Sequence, residues 1–408
     1  MDFHTFTLSN GLRVIFQRSQ RPVSHCGIVI NAGSRDEPKG KEGLAHYIEH
    51  AIFKGTKKRK TYHILSRLDN VGGELNATTG KEDTWVYGSF LNEFLDRTLE
   101  LIADIVLNST FPAKEINKEK DVIIDEISSY KDNPSELIFD EFESIIYKNH
   151  TLGNPVLGTE ESVKKLSRKD IIDFVNEFYC AENMVLSVVG DYTLAKIKKL
   201  AEKNFGGVKN CNAKPAKRKK FKLYKPQDQI EELDTHQVHY IYGGLAYSSA
   251  DSKRTAFHLL NNYLGGPAMN SLLNLEIREK HGIAYNIESA FQPYSDTGVF
   301  EIYLGTDQKM FEKSKKLVSK QLKKLRESKL GINQLTSAKK QVLGQIALAQ
   351  ESGINTMMGL GISYLMYDRV DTLEEVFARI NGVTAEDILE VANEILNEDS
   401  FSSISYTA

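Results

Sequence analysis

Two histidines and a glutamate interrupt the apolar stretch GLAHYIEHAIFKG, residues 43–55. Placed at about 100° per residue, Leu44, Tyr47, Ile48, Ala51 and Ile52 form one side, the ordinary core stripe of a helix. His46, Glu49, His50 and Phe53 fall on the other. His46 and His50 are four residues apart, so both imidazoles can address one point. Two imidazoles at that spacing suit a tetrahedral zinc ion. Zinc brings the pKa of a water to about 7, and Glu49, between the two histidines, is placed to take its proton. The order H-x-x-E-H mirrors H-E-x-x-H and fills the same three roles. Manganese or cobalt can substitute at a site of two imidazoles and one carboxylate.

A catalytic zinc site also needs a third protein ligand and an open fourth position. In NKEKDVIIDEISSYKDNP, residues 117–134, the apolar residues Ile123, Ile127 and Tyr130 continue a stripe that starts at Ile116. Glu119 and Glu126 sit on its edge, about two turns apart. A carboxylate beside a packed stripe is costly unless paired, and a metal ion would pair it. Glu126 is the expected third ligand and Glu119 a supporting carboxylate.

These segments belong to a larger pattern. HCGIVINAGSRDEPKGKEGLAHYIEHAIFKG, from His25, aligns without a gap with HQVHYIYGGLAYSSADSKRTAFHLLNNYLGG, from His236, at a constant offset of 211. Each reads strand, glycine turn, polar loop, helix. EINKEKDVIIDEI, from Glu115, likewise matches QLTSAKKQVLGQI, from Gln334. The second copy has Phe257, Leu260 and Asn261 where the first has His46, Glu49 and His50, and Ala338 and Gln345 where the first has Glu119 and Glu126. The fold therefore does not require the titratable groups, and they are lost together. The expected fold is α+β: two homologous halves, each a sheet with helices packed on it, joined by a linker. The expected boundaries are residues 1–208 for the metal-binding half, 209–229 for the linker and 230–408 for the half without ligands.

Composition narrows the function classes. The 408 residues exceed one ordinary core. Hydrophobic residues at 41%, charged residues at 26% and a net charge of -3 give no bulk attraction to nucleic acid or membrane. The basic run from Lys214 to Lys225 lacks a repeated aromatic platform and reads as a solvated linker, not a nucleic-acid patch. No apolar run approaches 18 residues, and the opening MDFHTFTLSNGLRVIF reads as two strands about an Asn10-Gly11 turn rather than a signal peptide. A cytoplasmic protein is expected. Cys26, Cys180 and Cys211 are odd in number and widely spaced, so no disulfide framework and no thiolate zinc site are expected. The other eight histidines have no ligand-like spacing, and Trp85 sits in a strand pattern as a core residue.

The motif residues resemble the pitrilysin/insulinase family of zinc metallopeptidases, the inverzincins, and within it the short-chain subgroup of the mitochondrial processing peptidase and its bacterial relatives. The likeness covers nearly the whole chain: TLSNGLRVIF, AGSRDEPKGKEGLAHYIEHAIFKGT, VGGELNATTGKEDT, EKDVIIDEI, NPVLGTEESV and VVGD occur in the family's order. It implies that His46, His50 and Glu126 bind one zinc ion, that Glu49 is the general base and that Glu119 supports them. It implies that Asn76 and Ala77 lie on an edge strand where substrate adds as a further strand. LNLEIREKHGIAYNI resembles the family's Arg-Tyr element, so Arg278 and Tyr285 would reach the scissile carbonyl or oxyanion. The implied architecture is two halves facing across a chamber that admits peptides or unfolded segments, and the implied assembly is a homodimer. The implied activity is zinc-dependent endopeptidase. The alternative is a non-catalytic or partner-dependent subunit of the same fold.

Overall fold

A computed structural model describes residues 3–211, 218–233 and 235–407. The first half runs β1 (Phe3–Thr7), β2 (Arg13–Arg18), β3 (Val23–Ile30), α1 (Leu44–Ala51), α2 (Thr61–Asp69), β4 (Glu74–Thr79), β5 (Thr84–Leu91), α3 (Leu95–Leu107), α4 (Ala113–Lys131), α5 (Pro134–Ile146), α6 (Glu160–Lys165), α7 (Arg168–Phe178), β6 (Met184–Gly190) and α8 (Leu194–Phe205). The second runs β7 (Asp228–Glu232), β8 (Val238–Ala246), α9 (Arg254–Gly265), a π-helical turn (Asn274–Glu279), β9 (Asn286–Pro293), β10 (Gly298–Thr306), α10 (Phe311–Glu327), α11 (Ile332–Ala349), α12 (Gly353–Tyr367), α13 (Leu373–Gly382), α14 (Ala385–Ile395) and β11 (Ser402–Thr407).

The halves share a repeated order of elements. The repeat is clearest in the sheets: β1-β2-β6-β3-β5-β4 in the first, where β2-β6-β3-β5-β4 matches β7-β11-β8-β10-β9 of the second. In each, one pair is parallel, β2 with β6 and β7 with β11, and the other pairs are antiparallel. α1, α3, α4, α7 and β6 correspond to α9, α10, α11, α14 and β11. Helix starts are written locally: Ser167 and Thr384 cap α7 and α14 with capping boxes to Asp170 and Asp387.

The compact units are not the contiguous spans 1–208 and 230–408. Unit one is Met1–Ser128, Asn154–Arg218 and Leu348–Thr372, and unit two is Ser129–Gly153, Lys219–Ala347 and Leu373–Ala408. Each half gives one helix to the other's sheet. α12 packs on β3 and β6 of unit one, and α5 packs on β8 and β11 of unit two. The exchange is itself symmetric, because α5 and α12 follow α4 and α11 in turn. Their apolar faces fix the choice. Met357, Leu360 and Tyr364 bury against Ile15, Val29 and Trp85, and Ile138 and Phe142 bury against Ile241, Ile404 and Tyr406. Gly361 is where α12 touches the Trp85 ring; a Cβ there would lie 2.4 Å from it. Contiguity in sequence hides this exchange, since an apolar stripe does not say which sheet it will cover.

Two further expectations change. Cys180 and Cys211 form a disulfide, with Cα atoms 5.1 Å apart. The chain returns past the end of α7 after α8, where Ala181 N–H donates to Lys209 O at 3.0 Å, so residues 31 apart in sequence meet. Cys26 is the buried free thiol. The basic segment is also not all solvated. Residues 212–217 lie outside the described residues, but Arg218 donates to both oxygens of Asp36 at 2.9 and 2.8 Å and to Glu82 O at 2.6 Å. Among the described residues, no helix is long and apolar enough to cross a membrane.

Candidate metal centre

The H-x-x-E-H helix is held at its start before it can hold anything else. Gly43, its N-cap, has φ +85°, the left-handed region that favours glycine, and a Cβ there would lie 2.6 Å from Leu157 O. The buried Glu37 carboxylate accepts from Gly43 N–H at 3.0 Å and Ala45 N–H at 2.8 Å, satisfying orphan donors of the first turn. Burial pushes the Glu37 carboxyl well above the usual range, while these two N–H groups pull it back. Leu44, Tyr47, Ile48, Ala51 and Ile52 are all buried in the unit's core. Tyr47 Oη donates to Ile116 O at 2.7 Å, tying α1 to α4.

On the other face, α1 and α4 bring three ligand atoms together. His46 Nε2 lies 3.7 Å from Glu126 Oε1, and His50 Nε2 lies 3.5 Å from Glu126 Oε2. One ligand atom from each residue falls within 4.8 Å of the others. Tetrahedral bonds of about 2.05 Å would put ligand atoms about 3.3 Å apart, so the cluster needs only a small contraction around an ion. Burial, then the neighbouring His50, lowers His46 to about 4, which keeps its imidazole neutral near pH 7 with a lone pair to give. His46 Nδ1 is buried without a hydrogen-bond partner. The Glu126 side chain is 43% exposed, which leaves one side of the cluster open. The residues fit a zinc ion by donor type and spacing.

The surrounding groups are also in place. Glu119 Oε2 lies 3.2 Å from His50 Nδ1, and its Oε1 pairs with Lys54 Nζ at 2.7 Å. Thr79 Oγ1 donates to Glu49 Oε2 at 2.6 Å. Burial raises the Glu49 carboxyl above its ordinary range, against the Thr79 hydrogen bond and His50, which lower it. Lys54 and Thr79 were not singled out from sequence. Both lie in quoted motifs, FKGT and NATT, but their partners are visible only once α1, α4 and β4 are side by side.

Asn76 and Ala77 lie on β4, the edge strand of the six-stranded sheet, which pairs on one side with β5. Ala77 N–H donates to the Asn76 side chain at 3.2 Å, so it points to the free edge and not to β5. Arg278 and Tyr285 lie in unit two. Arg278 is exposed in the π-helical turn. Tyr285 is 58% exposed, and its hydroxyl donates to Asp307 at 3.4 Å. In the second half Gln345, at the position of Glu126, accepts from Asn262 Nδ2 at 2.7 Å.

Residues 13–160 match the family model described as Insulinase (Peptidase family M16), and residues 165–342 match Peptidase M16 inactive domain. An uncharacterized zinc protease of Bacillus subtilis is 32% identical over 97% of this chain and 96% of its own. The chain belongs to peptidase family M16. A second relative, an uncharacterized zinc protease of Rickettsia bellii, is 32% identical over 99% of this chain and 97% of its own. A solved protease from Helicobacter pylori shares the fold, with a TM-score of 0.93 at 23% identity over 100% of both chains. A putative M16-like peptidase from Alicyclobacillus acidocaldarius aligns with a TM-score of 0.87 at 20% identity, covering 99% of this chain and 98% of its own. The family assignment agrees with the resemblance read from the motifs, and the α+β fold of two homologous halves agrees with these neighbours.

Proposed function

We propose that this M16 chain is an active zinc-dependent endopeptidase that hydrolyses peptides or unfolded segments. The observation that carries the reading is the convergence of His46, His50 and Glu126 beside a partly buried Glu49. The relatives' names and the family support it. When bound, zinc supplies Lewis acidity to a water and to the scissile carbonyl.

The chain's own residues do the rest. His46, kept neutral by burial, His50 and the Glu126 carboxylate would hold the ion. Glu119, braced by Lys54, orients His50. Glu49, raised by burial toward the working range of a general base, takes the water's proton and returns it to the leaving amine. Thr79 fixes the Glu49 carboxylate by its hydroxyl. The substrate backbone adds to the free edge of β4 at Asn76 and Ala77, which disregards most side chains. Arg278 and Tyr285 are the proposed contribution of unit two to the oxyanion, a role that rests on the family resemblance. Homodimerisation is proposed on the same ground.

The test is cleavage of a mixed set of quenched fluorescent peptides. The reading expects hydrolysis that a chelator abolishes and stoichiometric zinc restores. A zinc-loaded chain that cuts no peptide would overturn it.

A further inference from the structure

The chain leaves the metal helix through a basic turn. Lys57, Lys58, Arg59 and Lys60 stand in TKKRKTYHILSRL, residues 56–68, just after the 3-10 turn that follows α1. Thr56 N–H donates to Arg59 O at 2.8 Å, and Gly55 bridges to Lys60, so the turn is tight. Thr56 Oγ1 accepts from Arg59 N–H at 2.9 Å and donates to the buried Asp104 at 2.8 Å, which fixes the turn on α3. Arg59 folds inward to Glu100 at 2.6 Å and Asp104 at 2.5 Å. Lys57, Lys58 and Lys60 are exposed. Among the described residues, Lys58 is the one of the three in an ion pair, a loose one at 3.6 Å to Glu100, which Arg59 and Arg67 already hold. The turn therefore presents a positive surface.

α2 continues that surface. Ile64 and Leu68 are buried on one side, while Tyr62, 73% exposed, and Leu65, 48% exposed, are three residues apart on the outer side. An exposed aromatic ring and a leucine beside lysines suit a partner with both acidic and apolar groups. The patch adjoins the metal centre. Thr61 Oγ1 donates to Lys54 O at 3.1 Å, and the Lys54 ammonium pairs with Glu119 at 2.7 Å. At the other end of α2, Gly73 N–H donates to Leu68 O at 3.0 Å, and α1 and α2 both pack on β4. The patch thus runs from the rim of the His46–His50–Glu126 cluster to the start of the strand at whose free edge substrate is proposed to add.

We propose that Lys57, Lys58 and Lys60, with Tyr62 and Leu65 beside them, form a subsite for an acidic stretch of the substrate that flanks the scissile bond. The chain then prefers peptides with Asp or Glu on that flank. This rests on the peptidase reading above and names the class of peptide it favours. Each exposed ammonium–carboxylate pair contributes little, so the preference comes from three acting together.

The probe is a quenched fluorescent peptide with one neutral cleavable core, extended on its N-terminal or C-terminal side by three glutamates, three glutamines or three lysines. For the tail on one side, wild-type kcat/KM should rank Glu above Gln above Lys, with a spread of about three- to tenfold. Added salt should shrink that spread. In a chain carrying Lys57→Glu, Lys58→Gln and Lys60→Glu together, the order should invert. The inversion is a ratio within one variant, so a general loss of activity cannot mimic it, and thermal melts confirm the fold. Anisotropy of the labelled tailed peptides on the Glu49→Gln chain reads the subsite without turnover. A chain that binds the glutamate tail more tightly but cuts no peptide keeps the subsite and loses the peptidase reading. Equal kcat/KM and equal binding for all three tails on both sides, or the same order in the triple variant, would overturn the proposal. So would binding to phosphatidylserine vesicles that the triple variant loses while no tail preference exists, since the patch would then serve an anionic lipid surface.

Discussion

Glu119→Gln should weaken zinc binding about tenfold, and Glu119→Ala should approach a hundredfold. Glu119 is buried between two partners, 3.2 Å from His50 Nδ1 and 2.7 Å from Lys54 Nζ. A hydrogen bond to a charged group contributes about 1.5–3 kcal/mol, and the 3.2 Å length places this one at the lower end. That equals roughly one to two decades in affinity, the range found for carboxylates that orient a metal-binding histidine. Gln keeps the volume and an acceptor but loses the charge; Ala loses all three. Removing the carboxylate also strands the Lys54 ammonium near the cluster. Lys54→Met added to Glu119→Gln should therefore recover part of the loss, a non-additive pair. The assay is competition with a chromophoric zinc chelator at fixed pH, with circular dichroism to confirm the fold. Zinc affinity within twofold of wild type in Glu119→Ala, or strict additivity with Lys54→Met, would refute the reasoning.

Other substitutions test separate parts of the account. Ala77→Pro removes an N–H at the free edge of β4 without breaking the β5 ladder, so peptide KM should rise several-fold at unchanged zinc content. Burial, with Glu143 beside it, raises Glu301 to about 8 from 4.5. Between those values the folded chain keeps a proton that the unfolded chain releases, so stability falls as pH rises. Glu301→Gln should then raise Tm at pH 8 by the equivalent of about 4 kcal/mol and leave it nearly unchanged at pH 4. Thiol titration in denaturant should find one thiol per chain before reduction and three after, with Cys26 as the one. Loss of the Cys180–Cys211 closure should destabilise the chain by about 3–4 kcal/mol on the loop-entropy model.

Much of the candidate site was legible in sequence because helical periodicity is local. His46, Glu49 and His50 share a face by spacing alone, and the second half supplied an internal control in Phe257, Leu260 and Asn261. Glu126 was reachable from the carboxylates beside the Ile116–Ile127 stripe. What stayed hidden depends on tertiary neighbours. Lys54 and Thr79 gain their partners only when α1, α4 and β4 assemble, and Glu37 reads as one more loop acid until it meets Gly43 and Ala45. The exchange of α5 and α12 was invisible because each is amphipathic enough to cover either sheet. The disulfide was missed because spacing along the chain says nothing of a segment returning past the end of α7.

The most direct test of the central claim compares wild type and Glu49→Gln on the same quenched peptides, with zinc content measured on both. The account predicts equal zinc and a loss of turnover of at least about a hundredfold in the variant. Cleavage by Glu49→Gln at the wild-type rate, with zinc bound, would contradict it.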